Sequence, residues 1–114
     1  MLVTAHDAFG YFGRAYDIEV KGLQGISTVS EFGLADISNL VDMLVARQIK
    51  AVFIESSVPR RSIDAVVEGV RAKRHEIAVG GQLFSDAMGN RGTPEGTYVG
   101  MVRANVNTIV TALR

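Results

Sequence analysis

The sequence predicts an α/β fold: a four-stranded parallel sheet with helices on both faces. Three observations carry this expectation. Short apolar runs alternate with stretches whose apolar residues recur at helical spacing, the order that a parallel sheet with crossover helices produces. The run Ala51-Val52-Phe53-Ile54 is apolar without interruption, which suits a parallel strand covered on both faces. Glycine-rich stretches, Gly22 to Gly33 and Ser85 to Gly96, punctuate the pattern as loops.

Each element follows from its residues. Leu2-Val3-Thr4-Ala5 is short and β-compatible. Ala8 to Tyr16 sets Phe9, Phe12 and Tyr16 along one helical face, although Gly10 and Gly13 each weaken a helix by about 1 kcal/mol relative to alanine. Ile18-Glu19-Val20 alternates as a strand does. The next helix has the clearest stripe, with Ile37, Leu40, Val41, Leu44 and Val45 on one side and Asp36, Asn39 and Asp42 on the other. After the apolar strand, Pro59 stands where a helix begins, and Ile63, Val66, Val67 and Val70 form its buried stripe. Ile77-Ala78-Val79 reads as the last strand, closed by Gly80-Gly81. From Thr97 to Leu113, Val99, Val102, Val106, Ile109, Val110 and Leu113 mark a long amphipathic helix. Crossovers in such a sheet are right-handed.

Size and charge narrow the function. With 114 residues the chain makes one domain, and 47% hydrophobic residues supply a core without help. Its 12 basic and 12 acidic residues cancel, which leaves no polybasic footprint for nucleic acid. No apolar run approaches the roughly 18 residues of a membrane span. Met1 leads straight into the first strand, so no signal peptide is expected ahead of it. The absence of cysteine excludes disulfides and thiolate chemistry without assigning a compartment.

In an open parallel sheet, ligands bind beyond the carboxyl ends of the strands, near a topological switch point. His6 and Asp7 follow the first strand, Glu55, Ser56 and Ser57 the third, and Gln82, Ser85 and Asp86 the fourth. Connectivity thus places His6, Glu55 and Asp86 on one edge. Simpler roles stand beside the chemical ones. Asp7 is a good N-cap for the first helix, and His6 fits a plain loop position. Ser56 and Ser57 suit a cap of the third helix or an anion nest. A Glu55 buried after an apolar strand needs backbone donors or a charge to hold it. Asp86 suits an Asx-turn, and His75 a solvated position at a helix C-terminus. Imidazole and carboxylate together suit zinc, and also manganese or iron, but a closed zinc site takes four ligands. With only two histidines, this chain cannot build a His-rich site alone.

Other signatures are missing. There is no GxxxxGK[ST] loop, no G-x-G-x-x-G after the first strand and no G-x-S-x-G elbow. A Ser56/His6/Asp86 set has no local signature to support it.

Five ordered motifs resemble one family across essentially the whole chain. His6-Asp7-Ala8-Phe9-Gly10-Tyr11-Phe12 is similar to the opening of the C-terminal lobe in TroA-like metal-binding proteins, which serve bacterial ABC importers of zinc, manganese or iron. Gly22-Leu23-Gln24-Gly25-Ile26-Ser27 resembles that family's second-strand exit, and Val52-Phe53-Ile54-Glu55-Ser56-Ser57 its third strand. Leu83-Phe84-Ser85-Asp86-Ala87-Met88 resembles its ligand loop, and Gly96-Thr97-Tyr98-Val99-Gly100-Met101 with Asn105 the start of its last helix.

The resemblance implies a carrier and not an enzyme. Two α/β lobes joined by a long helix hold the metal between them, and each lobe gives two ligands. Residues 1–114 would be the C-terminal lobe, with His6 and Asp86 as its metal ligands and Glu55 supporting them. The N-terminal lobe, the linking helix and their two ligands would lie outside this chain. Implied partners are that lobe and an ABC permease, with the whole protein in the periplasm or on the outer face of the cytoplasmic membrane. A homodimer sharing one metal through two copies of His6 and Asp86 would also reach four ligands. The competing class is a metal-free, receiver-like interaction or signalling domain built on Asp7. Such a site needs a lysine near the end of the last strand, and Gln82 to Gly92 contains none. A hydrolase using His6 and Asp86 is the third class.

Overall fold

A computed structural model describes residues 1–24, 34–56 and 60–114. Among these residues the chain runs β1 (Leu2–His6), α1 (Gly10–Tyr16), β2 (Val20–Gln24), α2 (Leu34–Ala46), β3 (Ala51–Glu55), α3 (Arg61–Ala72), β4 (Ala78–Leu83) and α4 (Tyr98–Leu113). A turn of 3-10 helix over Pro94–Gly96 precedes α4. The expected loop over Gly25 to Gly33, the Gly25-Ile26-Ser27 part of the second motif, Ser57 and Pro59 lie outside the described residues.

The four strands form one parallel sheet in the order β2-β1-β3-β4. Strand side chains alternate between faces. Leu2, Ala51 and Phe53 therefore pack on one face with Phe9 and Ile109, joined by Phe12 and Ala112. Val3, Ala5 and Val52 pack on the other with Leu40, Leu44, Ile63, Val66 and Val70. Helices α1 and α4 cover the first face, α2 and α3 the second, as the alternating pattern predicts. The stripe expected on α2 is observed, with Leu40, Val41 and Leu44 buried and Ile37 and Val45 packed against them. On α1, Phe9 meets Phe12 edge-on at 6.3 Å between ring centroids, and Phe12 meets Tyr16 at 4.9 Å.

Several boundaries differ from expectation, and glycine explains most of them. β4 runs through Gly80 and Gly81 instead of ending there. Val52 pairs with Val79 but Phe53 with Gly81, so Gly80 is an extra residue in the ladder. A Cβ on Gly80 would lie 2.6 Å from Ala112 Cβ and 2.7 Å from Phe53 Cε1. Gly81 has φ +147° and stands against Thr108 of α4, where a Cβ would fall 2.5 Å from Cγ2. These glycines let α4 close onto the sheet; they do not end the strand. β2 likewise begins at Val20 and includes Gly22, read above as loop. A Cβ on Gly22 would sit 2.5 Å from Asp7 N and 2.7 Å from the carbonyl carbon of His6. Gly22 is what lets the edge strand pass close to the chain leaving β1.

The α4 stripe is rotated from the expected one. Met101, Asn105 and Ile109 are buried, whereas Val99 and Val110 are exposed. The strands β1 and β3 each extend one residue further than expected, so His6 and Glu55 belong to strand ends and not to loops.

Candidate metal centre

The sheet order reverses between β1 and β3, because the chain first steps from β1 out to β2 and then crosses back to β3. Crevices at such a switch point are where open α/β sheets bind ligands. Register makes the position specific. Thr4 pairs with Phe53, so two residues further along each strand His6 stands beside Glu55, both on the α1/α4 face.

His6 is held at every polar group. Its main-chain N–H donates to Glu55 Oε2 at 2.9 Å. Its carbonyl accepts from the Thr4 hydroxyl at 2.9 Å and from the Ala8 N–H at 3.0 Å. Its ring Nδ1 bonds the same Glu55 Oε2. The other ring nitrogen, Nε2, lies 3.3 Å from Asp86 Oδ2. His6 and Glu55 are buried, while the Asp86 side chain is 68% exposed. Glu55 Oε1 is buried without a hydrogen-bond partner among the described residues. Burial pushes the Glu55 carboxyl above its ordinary range, and the hydrogen bonds and charge of His6 pull it part of the way back.

These contacts fix what the ring can do. In neutral imidazole one nitrogen donates and the other accepts. When the ring is neutral, the Glu55 carboxylate accepts the Nδ1 hydrogen and the Nε2 lone pair faces Asp86; when it is protonated, both nitrogens donate to carboxylates. Lone pair and carboxylate oxygen repel at this distance unless a proton or a metal cation joins them. Two bonds of zinc length, about 2.05 Å, spanning a 3.3 Å separation enclose an angle of about 107°, close to tetrahedral.

The loop carrying Asp86 is fixed at both ends by α4. At its start, Asn105 accepts from Phe84 N at 2.9 Å and donates to Phe84 O at 2.8 Å. At its end, the Thr97 hydroxyl caps α4 by accepting from Gly100 N at 3.1 Å. Between them, Gly89 N donates to Glu95 O at 2.8 Å.

Of the residues singled out from the sequence, His6, Glu55 and Asp86 come together and others do not. Asp7 is exposed and does not cap α1, whose N-cap is Phe9 with no side-chain bond. The α3 N-cap is Arg60, so Ser56 does not cap that helix; its main-chain N–H instead meets Leu83 O at 3.0 Å. Both His6 ring nitrogens face carboxylates, and the Ser56/His6/Asp86 set is not assembled. His75 is half-buried rather than solvated, with Nε2 3.1 Å from Ile49 O, tying the end of α3 to the turn before β3. Among the described residues no three His, Asp or Glu side chains group as a metal cage. In the sequence, Asn105 stands out only as part of the fifth motif. Its signal is a single amide on an otherwise apolar helical face.

The profile of the family described as zinc-uptake complex component A, periplasmic, matches residues 1–112. The chain belongs to this zinc-uptake component A family. The manganese-binding lipoprotein MntA of Bacillus subtilis is 62% identical over 114 residues, which is all of this chain and 37% of that protein. The zinc-binding protein TroA of Treponema pallidum is 57% identical over 113 residues, 99% of this chain and 37% of that one. The solved structure of periplasmic TroA superposes with a TM-score of 0.94 over 98% of this chain and 40% of the other. MtsA of Streptococcus pyogenes, an iron ABC transporter substrate-binding lipoprotein, is 30% identical over 96% of this chain and 34% of its own length. The chain therefore spans little more than a third of the relatives it matches. The four-stranded α/β fold is that of part of TroA. Members of the family are named for zinc, manganese and iron.

Proposed function

We propose that this chain carries half of a binding site for a divalent transition metal, zinc or manganese, with iron also within the family's range. His6 Nε2 and Asp86 Oδ2 are its two ligands, and the metal is the cargo of an ABC importer. The observation that carries this reading is the 3.3 Å approach of those atoms, with Glu55 holding the far side of the imidazole. A carboxylate behind a histidine fixes its tautomer and raises its basicity toward a metal.

In this reading residues 1–114 are the C-terminal lobe, and a second lobe supplies the other two ligands. Exposed apolar side chains on the elements that follow β1 and β4 suit such a cover. Tyr11, Met88, Tyr98 and Val99 are large apolar residues left exposed on α1, the Asp86 loop and the start of α4. An ABC permease would receive the metal from the assembled protein. Among the described residues, no helix is long and apolar enough to cross a membrane.

Calorimetric titration of the chain with zinc and with manganese tests the reading. Two ligands predict weak binding, stoichiometric in His6 and Asp86 and competed by protons, because the imidazole must be neutral to coordinate. No detectable binding of zinc, manganese or iron at millimolar metal would end it. Sedimentation in the same samples identifies the complement. A zinc-dependent doubling of mass means two copies share the ion; a monomer at saturating zinc leaves the second lobe as the source.

Glu55→Gln separates support from coordination. Glutamine keeps the size and one acceptor but loses the charge, and zinc affinity should fall by about 10- to 100-fold. Folding stability at neutral pH should hold or rise, because a buried carboxyl raised above its ordinary value is costly when ionised. An unchanged affinity in Glu55→Gln would remove Glu55 from the site.

A further inference from the structure

We infer that Asn105 is the positioning residue for Asp86, holding that carboxylate in place before any metal arrives; the inference rests on the reading of Asp86 as a ligand. Asn105 is buried on the inner face of α4, one turn from Met101 on one side and from Ile109 on the other. A primary amide on that stripe is costly unless both of its ends are bonded. Both are, and to one residue: Oδ1 takes the Phe84 N–H and Nδ2 reaches the Phe84 carbonyl. Asn105 thus does for Phe84 what a neighbouring strand would do. Phe84 is the first residue beyond β4 and stands two residues before Asp86.

The other end of the loop is tied just as closely to the same helix. Thr97 caps α4, and a Cβ on Gly100 would overlap Pro94 O at 1.7 Å. Inside the loop, a Cβ on Gly96 would come within 2.4 Å of Asn90 O. The segment from Phe84 to Thr97 is therefore a short span clamped at two points of one helix. His6 and Glu55 are set by strand register, but Asp86 has no strand to set it. The asparagine amide sets an acceptor and a donor side by side, spaced to meet the N–H and the carbonyl of one residue. Leucine offers neither, and aspartate cannot donate to the Phe84 carbonyl.

The test compares the wild-type chain with Asn105→Ala and Asn105→Asp by amide hydrogen exchange without metal and by zinc titration. The expected result is faster exchange at Phe84 and across the following loop, with β1 and β3 still protected, and zinc affinity lower by about tenfold. Aspartate keeps the bond to the Phe84 N–H but sets an oxygen against the Phe84 carbonyl on a buried face, so it too should speed loop exchange relative to wild type, and because it fills the space that alanine empties it remains available if alanine fails to fold. Wild-type loop exchange, or wild-type zinc affinity in a folded variant with a loosened loop, overturns the positioning role. Absence of zinc binding by the wild-type chain itself overturns the ligand reading first, and is distinguished from failure of the clamp because exchange is measured without metal.

Discussion

Replacing His6 with alanine is expected to lower zinc affinity by more than about 100-fold, beyond what loss of an outer-shell partner costs. The same change should destabilise the fold by about 3 kcal/mol. The two losses have one origin. Glu55 Oε2 bonds both the main chain and the ring of His6, and Oε1 has no partner among the described residues. Without the imidazole, a fully buried carboxylate keeps, among the described residues, one main-chain N–H to offset its desolvation. The pH dependence follows. Burial already raises the Glu55 carboxyl, and the bond and charge of His6 oppose that rise. A carboxyl raised in the folded state binds its proton more tightly there than in the unfolded chain. Its contribution to stability is then full below the ordinary carboxylate range and is lost as pH climbs through the raised value. Removing His6 extends that loss to higher pH. The stability gap between wild type and His6→Ala should widen from acid to neutral pH in denaturant titrations. A gap that stays constant would mean that Glu55 is not the group left stranded. Asp86→Ala should cost comparable zinc affinity with a smaller loss of stability than His6→Ala, because its side chain is largely exposed and the His6–Glu55 bonds remain.

Much of this arrangement is legible in the chain, and the part that is not has a physical cause. Apolar runs locate β1 and β3, and connectivity alone places His6, Glu55 and Asp86 on one edge of the sheet. The β2-β1-β3-β4 order, which makes that edge a switch point, depends on which strands meet in space, and no local pattern encodes it. Gly22, Gly80 and Gly81 look like terminators because glycine is usually read for its backbone freedom. Here all three sit inside strands, where the missing Cβ makes room for Asp7, Ala112 and Thr108. Those partners are remote in sequence, so the reason for the glycine is invisible locally. The α4 stripe fails for a related reason. Counting valines favours Val99 and Val110, but the helix approaches the sheet over the glycines of β4 and buries Met101, Asn105 and Ile109 instead. An amide on that buried face then becomes the clamp on the Asp86 loop.

The largest purely structural effect should come from Phe53→Ala, with a loss of about 3–5 kcal/mol. Phe53 is fully buried in the middle of β3 and packs with Leu2, Leu83 and Ile109 between the sheet and the α1/α4 layer. Gly80 borders its ring, since a Cβ there would come 2.7 Å from Cε1. That proximity invites a repair in which Gly80→Ala fills the space vacated by the ring. The repair should fail. A Cβ on Gly80 would still meet Ala112 on α4 at 2.6 Å and Ala51 at 3.1 Å, contacts that do not involve the Phe53 ring. Urea unfolding followed by circular dichroism should therefore show Gly80→Ala destabilising both the wild-type and the Phe53→Ala background. Recovery of stability in the double variant would show that the ring, and not the approach of α4, is what requires glycine. Zinc affinity of folded Phe53→Ala should change far less than that of His6→Ala. The His6–Glu55 pair is fixed by its own bonds one pleat further along the strands, so truncating the core beneath should change how much chain is folded and leave the proposed ligand geometry in place.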